Sequence, residues 1–167
     1  MAQSLSRIWT HLIFSTKDRF PFLSDADVRH DVYAYLATVL RSHDCETLIV
    51  NGTGDHVHAL FNLSRKHSVA TIVKEIKRTS SGWVKERWPT LRKFHWQNGY
   101  GAFSVSQSHI GRVCEYTEQQ ERHHKNGVFK TSIVNFSRNI GSNTMSDMFG
   151  TDGMANSFRV RTIHRNT

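Results

Sequence analysis

The chain begins with a β-rich run and then changes to a helical period. Residues 6–15 (SRIWTHLIFS) are rich in β-branched and aromatic residues, which is typical of a strand. After a turn at residues 18–21, apolar residues recur at three- and four-residue steps over residues 25–42. This spacing predicts an amphipathic helix.

Two further β-rich runs, CETLIVNG (45–52) and HVHALFNLS (56–64), enclose a short turn of Asn, Gly and Asp. They predict a hairpin. After Ser68 a helical period returns and indicates a second helix through about Val84. The other face of this helix is basic and carries Lys74, Lys77, Arg78 and Lys85.

Residues 94–105 (FHWQNGYGAFSV) predict a fourth strand or a strand pair, with Gly99 and Gly101 marking a bulge or a close approach. From Ser106, a candidate N-cap, the pattern is helical through about His124. The order β-α-β-β-α-β-α predicts an α+β fold of the ferredoxin-like split βαβ type. In that fold two helices cover one face of an antiparallel sheet, and here a C-terminal helix follows. The fold alone does not identify a function.

The end of the chain has a different composition. Residues 126–167 are rich in Ser, Asn, Thr and Gly and show no hydrophobic period. We therefore expect a folded domain in residues 1–125 and a poorly patterned C-terminal extension in residues 126–167.

Charge points to a polyanionic partner without naming one. The chain has 22 Lys and Arg against 14 Asp and Glu, a net charge of +8. Such an excess suits phosphate contacts, although a merely basic soluble protein has it too. Two widely spaced cysteines fit a reducing cytoplasm. No signal peptide or membrane-spanning run is recognisable, so we expect a cytoplasmic protein without a membrane partner.

His56 and His58 are two residues apart in the third predicted strand. Alternate strand side chains share a face, so both imidazoles are expected on one side of the sheet. Two neutral imidazoles form half of a metal site. In a chain with 11 histidines, the pair alone is more often structural than ligating.

Tyr116 and Gln120 are four residues apart and therefore share a face of the last predicted helix. A tyrosine hydroxyl, with a pKa of about 10, needs a base or a cation to act as a nucleophile. The Gln120 amide oxygen could complete a metal shell without adding charge. Taken by spacing alone, both residues are better explained by packing and solvation.

Several segments taken together resemble the single-tyrosine HUH transposases of small bacterial insertion sequences, the TnpA type of the IS200-like superfamily. The matching segments are WTHLIFSTKDR, NGTGDHVHALFNLS, SVATIVKEIKRTSSGWVK, FHWQNGYGAFSVSQS and EYTEQQERHH, in order across roughly residues 5–125. The combination is specific, whereas each piece is not. Beyond Lys125 the sequence departs from the family.

The resemblance implies a metal-dependent DNA transposase of a bacterial or archaeal cytoplasm. Tyr116 would be the nucleophile, and His56, His58 and Gln120 would hold a divalent ion, Mg²⁺ or else Mn²⁺. The enzyme would cleave and rejoin single-stranded DNA through a 5′-phosphotyrosine. It would recognise hairpins at element ends and act as a homodimer, with the tyrosine helix in its own or its partner's site.

The phosphate-contacting residues are expected to be basic and near the first loop or on the second helix, with Trp96 or Tyr100 stacking on an unpaired base. The candidates are Lys17, Arg19, Lys74, Lys77, Arg78 and Lys85. A non-catalytic or domesticated hairpin-binding protein of the same fold remains the alternative. It explains charge and fold but leaves the histidines, Tyr116 and Gln120 to coincidence.

Overall fold

The computed structural model describes residues 5–120. The C-terminal extension predicted for residues 126–167 lies outside this range, as does the end of the last predicted helix. The described chain contains four strands and three α-helices. They are β1 (Trp9–Ser15), α1 (Ala26–Ser42), β2 (Glu46–Gly52), β3 (His56–Asn62), α2 (Val69–Arg87), β4 (Gly101–Val105) and α3 (Ile110–Glu118).

The four strands form one sheet in the order β2-β3-β1-β4, and each neighbouring pair is antiparallel. β3 therefore lies between β1 and β2, which α1 connects, as in a split βαβ unit. The predicted α+β, ferredoxin-like architecture is confirmed. β3 is a central strand, so both of its edges are paired with neighbouring strands.

One face of the sheet packs against α1 and α2. Leu12 and Phe14 of β1, together with Val57 and Phe61 of β3, are fully buried there. Ile13 of β1, and His58 and Leu60 of β3, alternate with these residues and point to the opposite face, as strand alternation requires. On that opposite face α3 covers a smaller apolar cluster of Trp9, Leu60, Val105 and Val113.

The boundaries of α1 and α2 agree closely with the sequence. Asp25 caps α1 by accepting hydrogen bonds from the backbone N–H groups of residues 27 and 28. Ser68 caps α2 by accepting one from the Thr71 N–H. Ser106 occupies the predicted N-cap position, but of a 3-10 turn that leads into α3, and its hydroxyl makes no capping hydrogen bond. Its hydroxyl contacts the His109 ring at 2.6 Å, and a 3-10 turn at residues 107–109 precedes α3.

The predicted fourth strand is too long, because only Gly101–Val105 pairs continuously with β1. Trp96 makes an isolated bridge to Thr16, and Gly99 adopts φ +84°, which interrupts the strand. The carbonyls of Gln97 and Gly99 accept hydrogen bonds from the Lys77 ammonium on α2. This segment is therefore held by a helix side chain as well as by short backbone pairing with residues 15–17.

Candidate active site

The first half of β3 carries His56 and His58 on the sheet face that α3 covers. Both rings are buried, and their centroids are 5.1 Å apart. The neighbouring Val57 points into the core on the other face. The strand alternation expected from the sequence thus places the two imidazoles side by side in the protein interior. Because they are buried, their hydrogen bonds to neighbouring side chains decide which ring nitrogen carries the proton.

Asp55 fixes the tautomer of His56. The His56 Nδ1 atom lies 2.6 Å from the Asp55 Oδ1 and 2.9 Å from the Thr53 Oγ1. The Thr53 hydroxyl in turn donates to Asp55. A carboxylate only accepts hydrogen bonds, so Nδ1 carries the proton and the lone pair is on Nε2. A carboxylate behind a metal-ligating histidine commonly orients the ring in this way.

Arg19 reinforces the Asp55 carboxylate. Its Nε and Nη2 atoms both lie 2.8 Å from the Asp55 Oδ2. Burial by itself would raise the pKa of Asp55, but His56 and Arg19 outweigh it and hold that pKa well below its usual range. Asp18 and Arg19 both have positive φ, 53° and 54°, a conformation that costs about 1–2 kcal/mol per non-glycine residue. This unfavourable turn brings the guanidinium to Asp55.

His11 of β1 is a third buried imidazole on the same face, and sequence reasoning missed it. Its Nε2 lies 3.0 Å from the Nδ1 of His58, and the two rings stack with centroids 5.2 Å apart. Burial lowers the pKa of His11 to about 4, so the ring is neutral at pH 7. The alternation of β1 assigns His11 to the Trp9 face, but only the pairing of β1 with β3 relates it to His58.

α3 brings Tyr116 to the histidines. Its ring centroid lies 5.8 Å from that of His58 and 6.4 Å from that of His11, both in edge-to-face contact. Burial raises the pKa of Tyr116, and the polar side chain of Gln120 opposes that rise. The hydroxyl is therefore protonated at neutral pH and needs help to become a nucleophile.

Gln120 is buried one turn beyond Tyr116. Its Nε2 donates to the Tyr116 carbonyl at 3.1 Å. Its Oε1 is also buried and accepts no hydrogen bond from any residue of the range 5–120. Such an orphaned amide oxygen is costly unless something outside the protein fills its coordination.

The donor set fits a divalent ion. The Nε2 atoms of His56 and His58 are buried, and the Nδ1 atom of each ring already contacts a neighbouring side chain. Two imidazoles and one amide oxygen suit a borderline or hard divalent metal. Within residues 5–120, no three His, Cys, Asp or Glu side chains form a metal-binding group, so an ion held by His56 and His58 would take any third protein donor from another kind of side chain, such as the Gln120 amide.

Asn51 attaches α3 to the sheet, a role that no sequence pattern indicates. In the sheet register it is paired with His58. Its Nδ2 lies 3.0 Å from the Thr117 carbonyl and 3.3 Å from the Glu118 carbonyl, at the end of α3. Backbone carbonyls in the last turn of a helix commonly accept hydrogen bonds from side chains. Asn51 therefore attaches the end of α3, just after Tyr116, to β2 at the position where β2 pairs with His58.

The predicted phosphate-contacting residues have different environments. Lys74, Lys77 and Arg78 line a cleft of about 400 Å³ between α2 and residues 95–100. Burial lowers the pKa of Lys77 to about 8. Lys85 lies 3.4 Å from the His95 ring in the same region.

The other four predicted contacts with DNA also differ from one another. Lys17 forms an exposed ion pair with Asp18, whereas Arg19 supports the histidine pair as described above. Tyr100 lines the cleft. Trp96 is 8% exposed and donates from Nε1 to the Ser80 Oγ, so the idea that it stacks on a base is wrong. Within residues 5–120, no helix is long and apolar enough to cross a membrane.

On one face of a split βαβ sheet, the structure brings a buried histidine of the pair into contact with a helical tyrosine, as the resemblance of the sequence implies. The comparison with protein families agrees, since residues 4–120 match the model described as "Transposase IS200 like". The chain therefore belongs to the IS200-like transposase family. No curated protein matches it.

Solved structures share the fold. One is a crystal structure of a protein from Deinococcus radiodurans R1 assigned as a transposase. It has a TM-score of 0.59 and 23% identity, over 72% of this chain and 95% of that one. Another is a REP-associated tyrosine transposase bound to a REP hairpin. It has a TM-score of 0.51 and 13% identity, over 98% of this chain and 100% of the other. At such identities the likeness shows the fold alone.

Proposed function

We propose that this chain cleaves and rejoins single-stranded DNA through a covalent 5′-phosphotyrosine at Tyr116. The observation that carries this proposal is the meeting of Tyr116 with His58, at a ring-centroid distance of 5.8 Å, with the buried Gln120 one turn further along the chain. Two buried imidazoles, those of His58 and His11, contact the Tyr116 ring, and a tyrosine that only packs has no need of such neighbours. Membership of a transposase family supports the same chemistry.

Tyr116 Oη attacks a DNA phosphorus, and the bond from that phosphorus to the 3′-oxygen breaks. The phenolic proton is lost and the departing 3′-oxygen gains one, so cleavage leaves a phosphotyrosine and a free 3′-hydroxyl. A second DNA 3′-hydroxyl then attacks the phosphotyrosine, which restores the Tyr116 hydroxyl and joins the strands. The phosphoester link is conserved throughout, so no nucleotide hydrolysis is required.

The residues that would hold a divalent ion are His56, His58 and Gln120, each through a buried atom. A bound ion would supply positive charge to the scissile phosphate. We propose Mg²⁺, with Mn²⁺ as a substitute, on the strength of the family resemblance; imidazole donors by themselves also suit zinc. Asp55 and Arg19 keep His56 in the ligating tautomer.

The DNA substrate proposed is a single strand with a hairpin at the element end. Support comes from the related structure that holds a REP hairpin and from the net charge of +8. Lys74, Lys77 and Arg78 at the cleft, together with Lys85 and Lys17, are the proposed phosphate contacts. Arg19 is included in that set, although its contact with Asp55 makes support of His56 its first role.

We further propose a homodimer, as the family resemblance implies. In the single chain α3 packs on its own sheet, with Tyr116 beside its own His58. Mixing a Tyr116→Phe chain with a His56→Ala/His58→Ala chain tests how sites are assembled. Adduct formation by the mixture, when neither variant alone forms adduct, requires the tyrosine helix to complete the partner's site. Absence of adduct in mixed dimers requires assembly within one chain.

The proposed function is tested with a 3′-labelled single-stranded hairpin oligonucleotide, whose label stays on the strand joined to the protein, with Mg²⁺, Mn²⁺ or a chelator. We expect a denaturation-resistant protein–DNA adduct that needs metal and disappears in Tyr116→Phe and in His56→Ala/His58→Ala. Tyr35→Phe is the matched control, because Tyr35 stacks on Trp83 in the helical layer and should leave the adduct unchanged. Hairpin binding without any adduct in the unmodified chain would favour the non-catalytic alternative.

A further inference from the structure

His11 belongs to the site by position but has no role in the chemistry derived above. It is buried, it stacks on His58, and its Nε2 is 3.0 Å from the Nδ1 of that ring. At this distance one ring nitrogen donates a hydrogen bond and the other accepts it. The contact therefore couples the proton positions of the two rings.

Two proton arrangements satisfy that contact between neutral rings. In one, His58 donates from Nδ1 and His11 accepts at Nε2, which leaves the lone pair of His58 on its own Nε2. In the other, His11 donates from Nε2, so the proton of His58 is on its Nε2 and blocks that atom as a ligand. Only the first arrangement gives His58 the same tautomer as His56, whose Nδ1 must donate because Asp55 only accepts. With that tautomer both rings can bind one ion through Nε2.

We infer that His11 is a positioning residue that accepts a hydrogen bond from His58 Nδ1–H and so presents the Nε2 lone pair of His58 to a metal ion. His11 thus does for His58 what Asp55 does for His56, with a neutral acceptor in place of an anion. Because Asp55 is the single anion behind the histidine pair, a bound ion would keep more of its positive charge than it would with a second carboxylate behind His58. This inference rests on the proposed metal site, and it assigns no contact with DNA to His11.

The decisive measurement is made on the unmodified protein. Long-range ¹H–¹⁵N correlation NMR on the metal-free full chain reports which nitrogen of each neutral imidazole carries the proton. The His58 signals are assigned by their disappearance in His58→Gln. The inference expects the proton of His58 on Nδ1. A proton on Nε2 would overturn it, whatever the activity of the enzyme.

Two variants of equal side-chain length separate hydrogen bonding from packing. The carbonyl of His11→Gln can occupy the place of the imidazole Nε2 and accept from His58, whereas His11→Met fills similar space without a comparable acceptor. We expect His11→Gln to keep the Nδ1–H tautomer and to stay within a few-fold of the parent in Mn²⁺ affinity. We expect His11→Met to shift His58 towards Nε2–H and to lower Mn²⁺ affinity about 10–100-fold.

Calorimetric titration with Mn²⁺ and a thermal melt of each variant complete the test. Equal tautomers and equal affinities in His11→Gln and His11→Met would show that packing alone matters and would overturn the inference. Should His11→Met fail to fold, the tautomer of the parent chain still decides. A chain with the expected tautomer and Mn²⁺ binding but no DNA adduct would refute the proposed function while leaving the role of His11 intact.

Discussion

Replacement of Asn51 by Ala should loosen α3 from the sheet without disturbing the main core. Asn51 donates to the last carbonyls of α3, those of Thr117 and Glu118. It is not a member of the apolar cluster that joins α1 and α2 to the sheet. The predicted lesion is therefore local to the helix that carries Tyr116 and to the adjoining Gln120.

The size of the effect follows from the two hydrogen bonds that the Asn51 amide donates. Each net hydrogen bond contributes about 0.5–1.5 kcal/mol, so two give about 1–3 kcal/mol. Since 1.4 kcal/mol is a factor of about ten, the ratio of docked to undocked α3 should fall about 5- to 150-fold. Apolar burial by α3 is limited, because Val113 is its only buried apolar side chain within residues 5–120.

Hydrogen exchange followed by mass spectrometry measures this directly on the amides of residues 113–120. We expect faster exchange there in Asn51→Ala and little change in α1 and α2. Asn62→Ala is the matched control. Asn62 is the last residue of β3, at the end away from His56, and its side chain accepts a hydrogen bond from the Ile8 N–H and, in the described part of the chain, makes none to α3. Unchanged exchange in α3 of Asn51→Ala, or the same change in both variants, would refute the assignment of Asn51 as the anchor.

Three more outcomes are expected. Asp55→Asn should lower Mn²⁺ affinity about 10–100-fold, because an amide no longer forces the proton of His56 onto Nδ1; calorimetry showing the parent affinity would contradict this. The pKa of Lys77 is lowered to about 8 in the folded chain, from 10.5 in the unfolded chain. Between these pH values the unfolded chain binds a proton that the folded chain has released, so the free energy of unfolding should rise with pH over that window. Urea titrations across the window should show a smaller rise in Lys77→Met, and an equal rise in both would count against it. Leu12→Ala, in the fully buried core, should cost about 2–5 kcal/mol in unfolding free energy, whereas Leu48→Ala, 43% exposed, should cost far less.

Strand and helix periods are enough to predict the architecture and half of the site. The alternation in β3 puts His56 and His58 on one face, and the four-residue spacing at α3 puts Tyr116 beside Gln120. Each pair is local in sequence, so a period predicts its geometry. That the two pairs meet follows from the family resemblance alone, because no local pattern sets how α3 packs on the sheet.

His11 and Asn51 could not be predicted in the same way. His11 is 47 residues from His58, and the two meet only because β1 and β3 are neighbours in the sheet. The Asn-Gly pair predicts a turn at Asn51, yet this residue is paired with His58 inside β2. The segment before β4 departs from its pattern for a related reason, since Lys77, distant in sequence on α2, binds the carbonyls of Gln97 and Gly99.

The most direct test of Tyr116 as the nucleophile is to identify the amino acid that carries DNA after reaction. Trypsin should release Tyr116 in the peptide of residues 113–122 (VCEYTEQQER), which contains no other tyrosine or serine and one threonine. After incubation with a single-stranded hairpin oligonucleotide and Mn²⁺, nuclease treatment and tandem mass spectrometry should find the nucleotide phosphate on Tyr116 of this peptide. A nucleotide attached to any other residue, or an unmodified peptide from a DNA-linked chain, would contradict the account.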